Sequence, residues 1–145
     1  MAEHKQRSFV PAEAADVVSQ IICARQKRAT VFSPTLFSDP AWDILLALFL
    51  TELRQQKVAT TELAILTSIP LTTALRWIEA LEQKGWLRRL PDASDQRRTF
   101  VELSARGASA MHAWVHDWID TQQMLSGDSR VSDILTSLDR GRRGM

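Results

Sequence analysis

The apolar positions Ala14, Val17, Val18, Ile21 and Ile22 follow the i, i+3, i+4, i+7, i+8 spacing of one helical stripe, starting just after Pro11. Arg25, Lys27 and Arg28 lie near the end of this stripe, where cations suit the helix dipole. A second helix is predicted after Ser38 or Asp39, with Pro40 in its first turn. Nearly every position from Ile44 to Leu50 is apolar, so this helix is expected at the centre of the core. A third, short helix starts at Thr60 or Thr61. It lacks the acid that would complete a capping box from Thr60, although Glu62 sits well in its first turn. Ser68, Ile69 and Pro70 stop it after about two turns. A fourth helix runs from Leu71 to Lys84, with Leu75, Ile78 and Leu81 as its inner stripe and Gly85 as its stop.

Beyond Gly85 the period shortens. Trp86, Arg88 and Leu90 alternate with Leu87 and Arg89 as in a short strand, PDASDQ is a polar turn, and RTFVEL resumes strand character. The segment from Ala105 to Leu125 is a long helix with Met111, Trp114, Val115, Trp118 and Leu125 on one side. A weak short helix around Val131 to Leu138 and a basic, frayed end complete the chain. The predicted fold class is mainly α with a small β-hairpin wing, within a single domain over 1–145. Two short helices joined by a tight turn, then a two-stranded ribbon, form a winged helix-turn-helix. Its second helix is sized for a major groove about 12 Å wide.

Composition changes this picture little. The 145 residues are 45% hydrophobic and 24% charged, with five glycines and five prolines, as in an ordinary globular chain. The net charge of +1 neither supports nor excludes nucleic acid as a partner. The distribution says more: Lys84, Arg88, Arg89, Arg97 and Arg98 stand against only Asp92 and Asp95 between positions 84 and 98. No apolar run approaches the roughly 20 residues that span a bilayer, and MAEHKQRSFV has no apolar signal core, so a cytoplasmic location without membrane contact is expected. Catalysis finds no support: there is no phosphate-binding glycine loop, no zinc-protease His-Glu-x-x-His and no Gly-x-Ser-x-Gly elbow. No cofactor is expected. His112 and His116 have the i, i+4 spacing of metal ligands, but neither His4 nor any cysteine completes a set, and Asp120 alone is nearby.

The segment from TTELAILTSIPLTTALRWIEALEQKGWLRR through PDASDQRRTFVELSARG resembles the MarR family of winged helix-turn-helix transcriptional regulators. LEQKGWLRR from Leu81 to Arg89 fills the segment that follows the family's recognition helix. Asp95, Gln96 and Arg97 match the wing signature, and Leu103 to Gly107 match the opening of the next helix. Trp86 stands where the family usually carries an aliphatic residue, Ser104 replaces a threonine, and the wing is short. The resemblance implies a dimeric regulator of transcription, with a DNA-reading part over about 41–107 and dimerisation helices over about 8–30 and 105–140. The unpaired apolar stripes of the first and last long helices point to the same homodimer. A dimer would read a pseudo-palindromic operator with half-sites about 10–11 base pairs apart.

Thr72, Thr73 and Arg76 lie early on the reading helix, on the side opposite Leu75 and Ile78. There an arginine can bond guanine bidentately, and a threonine can touch a thymine methyl or a phosphate. Arg97 matches the family's wing arginine, with Asp95 placed to orient it. Arg88, Arg89 and Arg98 suit phosphate contacts. Trp42, at the head of the second helix, is a candidate to line the cleft where the family binds small aromatic effectors; core packing is the competing reading for Trp114 and Trp118. Cys23 reads as a buried helix cysteine. Some relatives sense oxidants through an N-terminal cysteine, which would require access and a lowered thiol pKa. The sequence therefore supports a dimeric repressor, with an effector response implied by the family resemblance, against two alternatives. These are a winged-helix protein-interaction module without DNA binding, and a redox-sensing regulator acting through Cys23.

Overall fold

The computed structural model describes residues 9–127 and 130–143. Six helices and three strands follow in the order α1 (Pro11–Val31), α2 (Pro40–Leu53), β1 (Val58–Ala59), α3 (Thr60–Thr67), α4 (Leu71–Gln83), β2 (Leu87–Asp92), β3 (Asp95–Leu103), α5 (Ala105–Gly127) and α6 (Arg130–Arg143). No helix is long and apolar enough to cross a membrane, among the described residues.

The core forms around α2, whose Ile44, Leu46, Ala47, Leu48 and Phe49 are all buried. Near-continuous burial along a helix means it is covered on most sides. Here the covers are α1 through Ala14 and Val18, α3 through Leu63, α4 through Ile78 and Leu81, and α5 through Met111 and Val115. Arg25 Nε on α1 donates to Asp43 on α2 at 2.6 Å, closing the polar edge of that pairing. The strands form one antiparallel sheet in the order β1-β3-β2. Val58 pairs with Val101 and Leu87 with Leu103, so the pleat turns all four inward while Arg88 opposite Glu102 faces out.

Three helices end in the same way. At the ends of α2, α3 and α4, Gln56, Ile69 and Trp86 donate backbone N–H bonds to Thr51, Ala64 and Leu81, five residues back. Each such closure puts one residue in the left-handed region. At α4 that residue is Gly85 (φ 80), at no steric cost; at α2 and α3 it is Gln55 (φ 54) and Ser68 (φ 55). Ser68 forms the turn of the helix-turn-helix itself. Ser68→Gly is expected to stabilise the fold by about 1 kcal/mol, less the greater unfolded-state entropy of glycine. An unchanged or lowered urea midpoint would show that the turn is held by something other than this dihedral.

Several expectations need correction. The inner stripe of α4 is Ala74, Ile78 and Leu81, and Leu75 lies on the outer face at 39% exposure. Ala74 and Leu75 both lie one turn before Ile78, at i−4 and i−3, and the helix is turned so that Ala74 takes the buried position. PDASDQ is not a six-residue turn: β2 continues through Asp92 and β3 begins at Asp95, leaving Ala93 and Ser94 between them. Asp92 makes this possible by accepting both the N–H and the hydroxyl of Ser94. The last helix is a continuous 14 residues rather than a short piece with a frayed end.

On α1, Ala14 and Val18 are fully buried against the chain's own core, and Val17, Ile21 and Ile22 are packed against it. That stripe is therefore covered within one chain and exposes little surface to a partner. Cys23 is exposed, contrary to the buried reading, because it lies one residue past the Ile22 edge of that stripe.

Candidate nucleic-acid interface

The α3–turn–α4 unit sets the reading helix. No side chain caps the start of α3. Instead Glu62, at its third position, reaches back so that its Oε2 accepts the Ala59 N–H at 3.1 Å. The α4 helix starts at Leu71, directly after Pro70, and buries Ala74, Ile78 and Leu81. Thr72, Leu75 and Arg76 are left exposed and Thr73 half-buried. The Arg76 guanidinium has no partner among the described residues.

Behind α4, the Gly85 turn leads into the wing at a joint built from backbone. The Ser104 hydroxyl donates to the Gly85 carbonyl at 2.6 Å and accepts the Gly107 N–H at 3.0 Å, so it starts α5 and ties it to the end of α4. The Arg106 guanidinium stacks over the Trp86 ring at 3.9 Å and donates to the Lys84 carbonyl at 2.9 Å. A cation here meets the negative end of α4. The aromatic ring at position 86 thus supplies a stacking platform for Arg106.

The four wing-region arginines divide into two groups. Arg89 donates to Glu82 on α4 at 2.8 Å through Nη2, and its own N–H bonds the same carboxylate. Its hydrogen bonds hold the Glu82 carboxyl below the ordinary glutamate range. Because that carboxyl is depressed in the fold, its small contribution to stability is present near neutrality and fades as pH falls through the folded-state value. Arg88 pairs across the strands with Glu102, and Arg98 pairs with Glu62 while lying 5.2 Å from the centre of the Phe100 ring.

Arg97 alone of the four has a guanidinium without a partner among the described residues. Asp95 does not orient that side chain, as the spacing suggested. It accepts the Arg97 backbone N–H at 3.0 Å, which fixes the start of β3 and leaves the guanidinium free. The structure therefore brings Arg76 and Arg97 forward as available cations and places Arg88, Arg89 and Arg98 in carboxylate pairs.

Glu62, Glu82 and Glu102 are the arginine partners that sequence reasoning missed. Arg98 and Glu62 are 36 residues apart, beyond the reach of any local spacing rule. Glu62→Gln frees Arg98 while keeping an oxygen for the Ala59 N–H. It is expected to raise affinity for random duplex and to steepen the salt slope by about 1 per protomer, with only tenths of a kcal/mol lost in stability. Fluorescence anisotropy at three salt concentrations checks this; an unchanged slope would mean Arg98 does not reach phosphate.

The remaining candidates lie elsewhere. Trp42 meets Trp114 edge-on at 4.7 Å, and Trp114 stacks on Trp118 at 5.5 Å. A groove of about 620 Å³ between α1 and α5 is lined by Val17, Ile21, Ala24, Trp118 and Ile119 among others, and Trp42 is not one of them. His112 packs between the rings of Phe9 and Phe49, while His116 pairs with Asp120 at 3.3 Å. The two histidines thus face different neighbours. His4 lies outside the described residues.

A short helix, tight turn, exposed second helix and basic hairpin define a winged helix-turn-helix protein. Residues 39–99, from the start of α2 to most of β3, match the model of the MarR family. Among solved structures, the chain is similar to the S. aureus MepR–DNA complex at 18% identity, over 85% of this chain and 96% of that one, with a TM-score of 0.54. A variant of S. aureus MepR bound to an oligodeoxyribonucleotide is similar at 17% identity, over 94% and 99%, with a TM-score of 0.55. No curated protein matches the chain. The family match covers α2, the helix-turn-helix and most of the wing, the part of the chain that carries the candidate interface.

Proposed function

We propose that this chain is a sequence-specific, homodimeric transcriptional repressor that binds a pseudo-palindromic operator through α4 and the β2–β3 wing. The observation that carries this reading is the pair of unpartnered arginines, Arg76 on the outer face of α4 and Arg97 on the hairpin that follows it. Around them, Thr72 and Thr73 are suited to base or phosphate contact. Arg88, Arg89 and Arg98 reach phosphate only by exchanging their carboxylate partners. The fold is shared with MepR, which forms a complex with DNA.

Dimerisation is assigned to the chain's exposed apolar surface, not to the α1 stripe. Ile134, Leu135 and Leu138 lie on one side of α6, and Met124 and Leu125 lie near the end of α5; each is at least 43% exposed. Stripes of this kind on a terminal helix call for a covering partner, and a second copy covers both isologously. Light scattering at tens of micromolar is expected to give a dimer, and a monomer would refute the assignment. A family-like response to a small aromatic effector belongs to the same reading, with Trp42 and its tryptophan neighbours as the candidate contact.

Anisotropy on random-sequence duplex at low and moderate salt tests DNA binding itself. Phosphate contacts predict a steep fall of affinity with salt. Absence of binding at low salt would favour a protein-interaction module on the same fold.

A further inference from the structure

The outer face of α4 carries two parallel rows. Thr72 and Arg76, four residues apart, form a polar row, and Leu71 and Leu75 form an apolar row beside it. Both leucines are exposed, at 43% and 39%, and lie off the buried stripe of Ala74, Ile78 and Leu81. Leu75 belongs to neither the core cluster nor the residues packed against it. Leu71 sits against the turn, beside Ile65 and Pro70, at a shallow depression next to α3. Leu75 is one turn further along, adjacent in sequence to the free Arg76 guanidinium.

We propose that Leu75 reads the 5-methyl group of a thymine in the major groove, next to the base bound by Arg76. This rests on α4 being the reading helix. The major-groove edge of each base pair has a distinct pattern, and the thymine methyl is its one apolar element, matched by an apolar side chain. A branched side chain on the same face as an arginine therefore selects thymine over cytosine at one position, while the arginine selects guanine at its neighbour. Solvent exposure of Leu75 costs the free protein apolar surface, and a thymine methyl removes that surface from water on binding. The acidic Glu79, one turn further along, offers no competing apolar surface, and the Leu75→Ala variant separates the contact of Leu75 from any made by the Thr72 methyl.

The test uses the full chain and a site selected from a random library. In one half-site, each thymine in turn is replaced by deoxyuridine, which removes the 5-methyl and nothing else. At one thymine, beside the guanine whose contribution is lost in Arg76→Ala, deoxyuridine is expected to weaken binding about 4-fold, the value of one buried methyl. Leu75→Ala is expected to lose affinity for the thymine site and to show no further loss on deoxyuridine. Leu75→Met, which keeps an apolar chain, should retain part of the effect. Unchanged thermal midpoints confirm that both variants fold. Deoxyuridine without effect at every thymine, or an effect that persists in full in Leu75→Ala, overturns the proposal while DNA binding stands. Failure to select any site overturns the DNA-binding reading, and this inference with it.

Discussion

Gly107→Ala is expected to destabilise the chain by about 3 kcal/mol, at the upper end of what overpacking costs, although alanine is the better helix former. A Cβ built at Gly107 lies 1.9 Å from the Trp86 carbonyl oxygen and 3.0 Å from its carbon. Both are backbone atoms, so no side-chain rotation relieves the clash. The Trp86 carbonyl also accepts the Ser104 N–H at 3.1 Å. Moving it away therefore breaks the bond that joins the start of β2 to the start of α5. The helix-propensity gain of about 1 kcal/mol is too small to reverse the sign. For a chain of this size the loss corresponds to a fall of about 10 °C in Tm. Gly141→Ala on α6 is the matched control: its Cβ meets nothing within 4 Å, so only the propensity gain remains. Urea denaturation of both variants reads the difference, and equal midpoints would mean that α5 can slide on β2 without loss.

The damage from Gly107→Ala should extend to DNA binding, because the joint it disrupts sets the wing against α4. Trp86 is held from both sides, by the Gly107 backbone contact and by Arg106 stacked on its ring. The same residue starts the hairpin that carries Arg97. A loss of affinity larger than the loss of folded protein would therefore report a wing displaced in molecules that remain folded.

What could be read from the sequence follows the range of each interaction. The helices of the reading unit were legible because their signals are local: Pro70 and Gly85 delimit α4, and the dense apolar run marks α2 as central. The two-residue β1 was missed because it exists only by pairing with Val101 and Phe100, some forty residues away. The inner stripe of α4 was misplaced by one position because Ala74 and Leu75 are both apolar, and hydrophobicity alone favours the larger residue. The carboxylate partners of Arg88 and Arg98 come from other elements, so a count of basic residues overstated the free positive charge of the wing. Glu82 for Arg89 lies seven residues back, across the Gly85 turn. The dimer surface was sought on α1 and on the tryptophan-bearing stripe of α5, yet periodicity identifies a buried face without saying which chain buries it; the α1 stripe is covered by this chain's own core.

Arg76→Ala and Arg97→Ala are expected to fail in different ways, and the difference locates the reading helix. Arg76 projects from the second turn of α4 without a carboxylate partner, so its guanidinium is available for two bonds to a guanine edge. Removing it should cost about 1–3 kcal/mol on the cognate duplex and much less on random DNA, narrowing the gap between them. Arg97 sits where β3 begins, its backbone held by Asp95 and its side chain free. In the proposed complex this position would face the sugar-phosphate wall or the minor groove. Its loss should lower both affinities together and reduce the salt slope by about 1 per protomer. A minor-groove contact adds a modest preference for A·T steps, so a slight loss of discrimination at Arg97 is compatible with this assignment. Neither arginine contributes an ion pair to the fold, so both variants should unfold like the parent, which separates binding effects from stability. Isotherms for each variant on cognate and random duplex, at several salt concentrations, give affinity, discrimination and slope from one set of measurements. If Arg76→Ala weakens both duplexes equally and leaves their ratio intact, α4 does not read bases through Arg76.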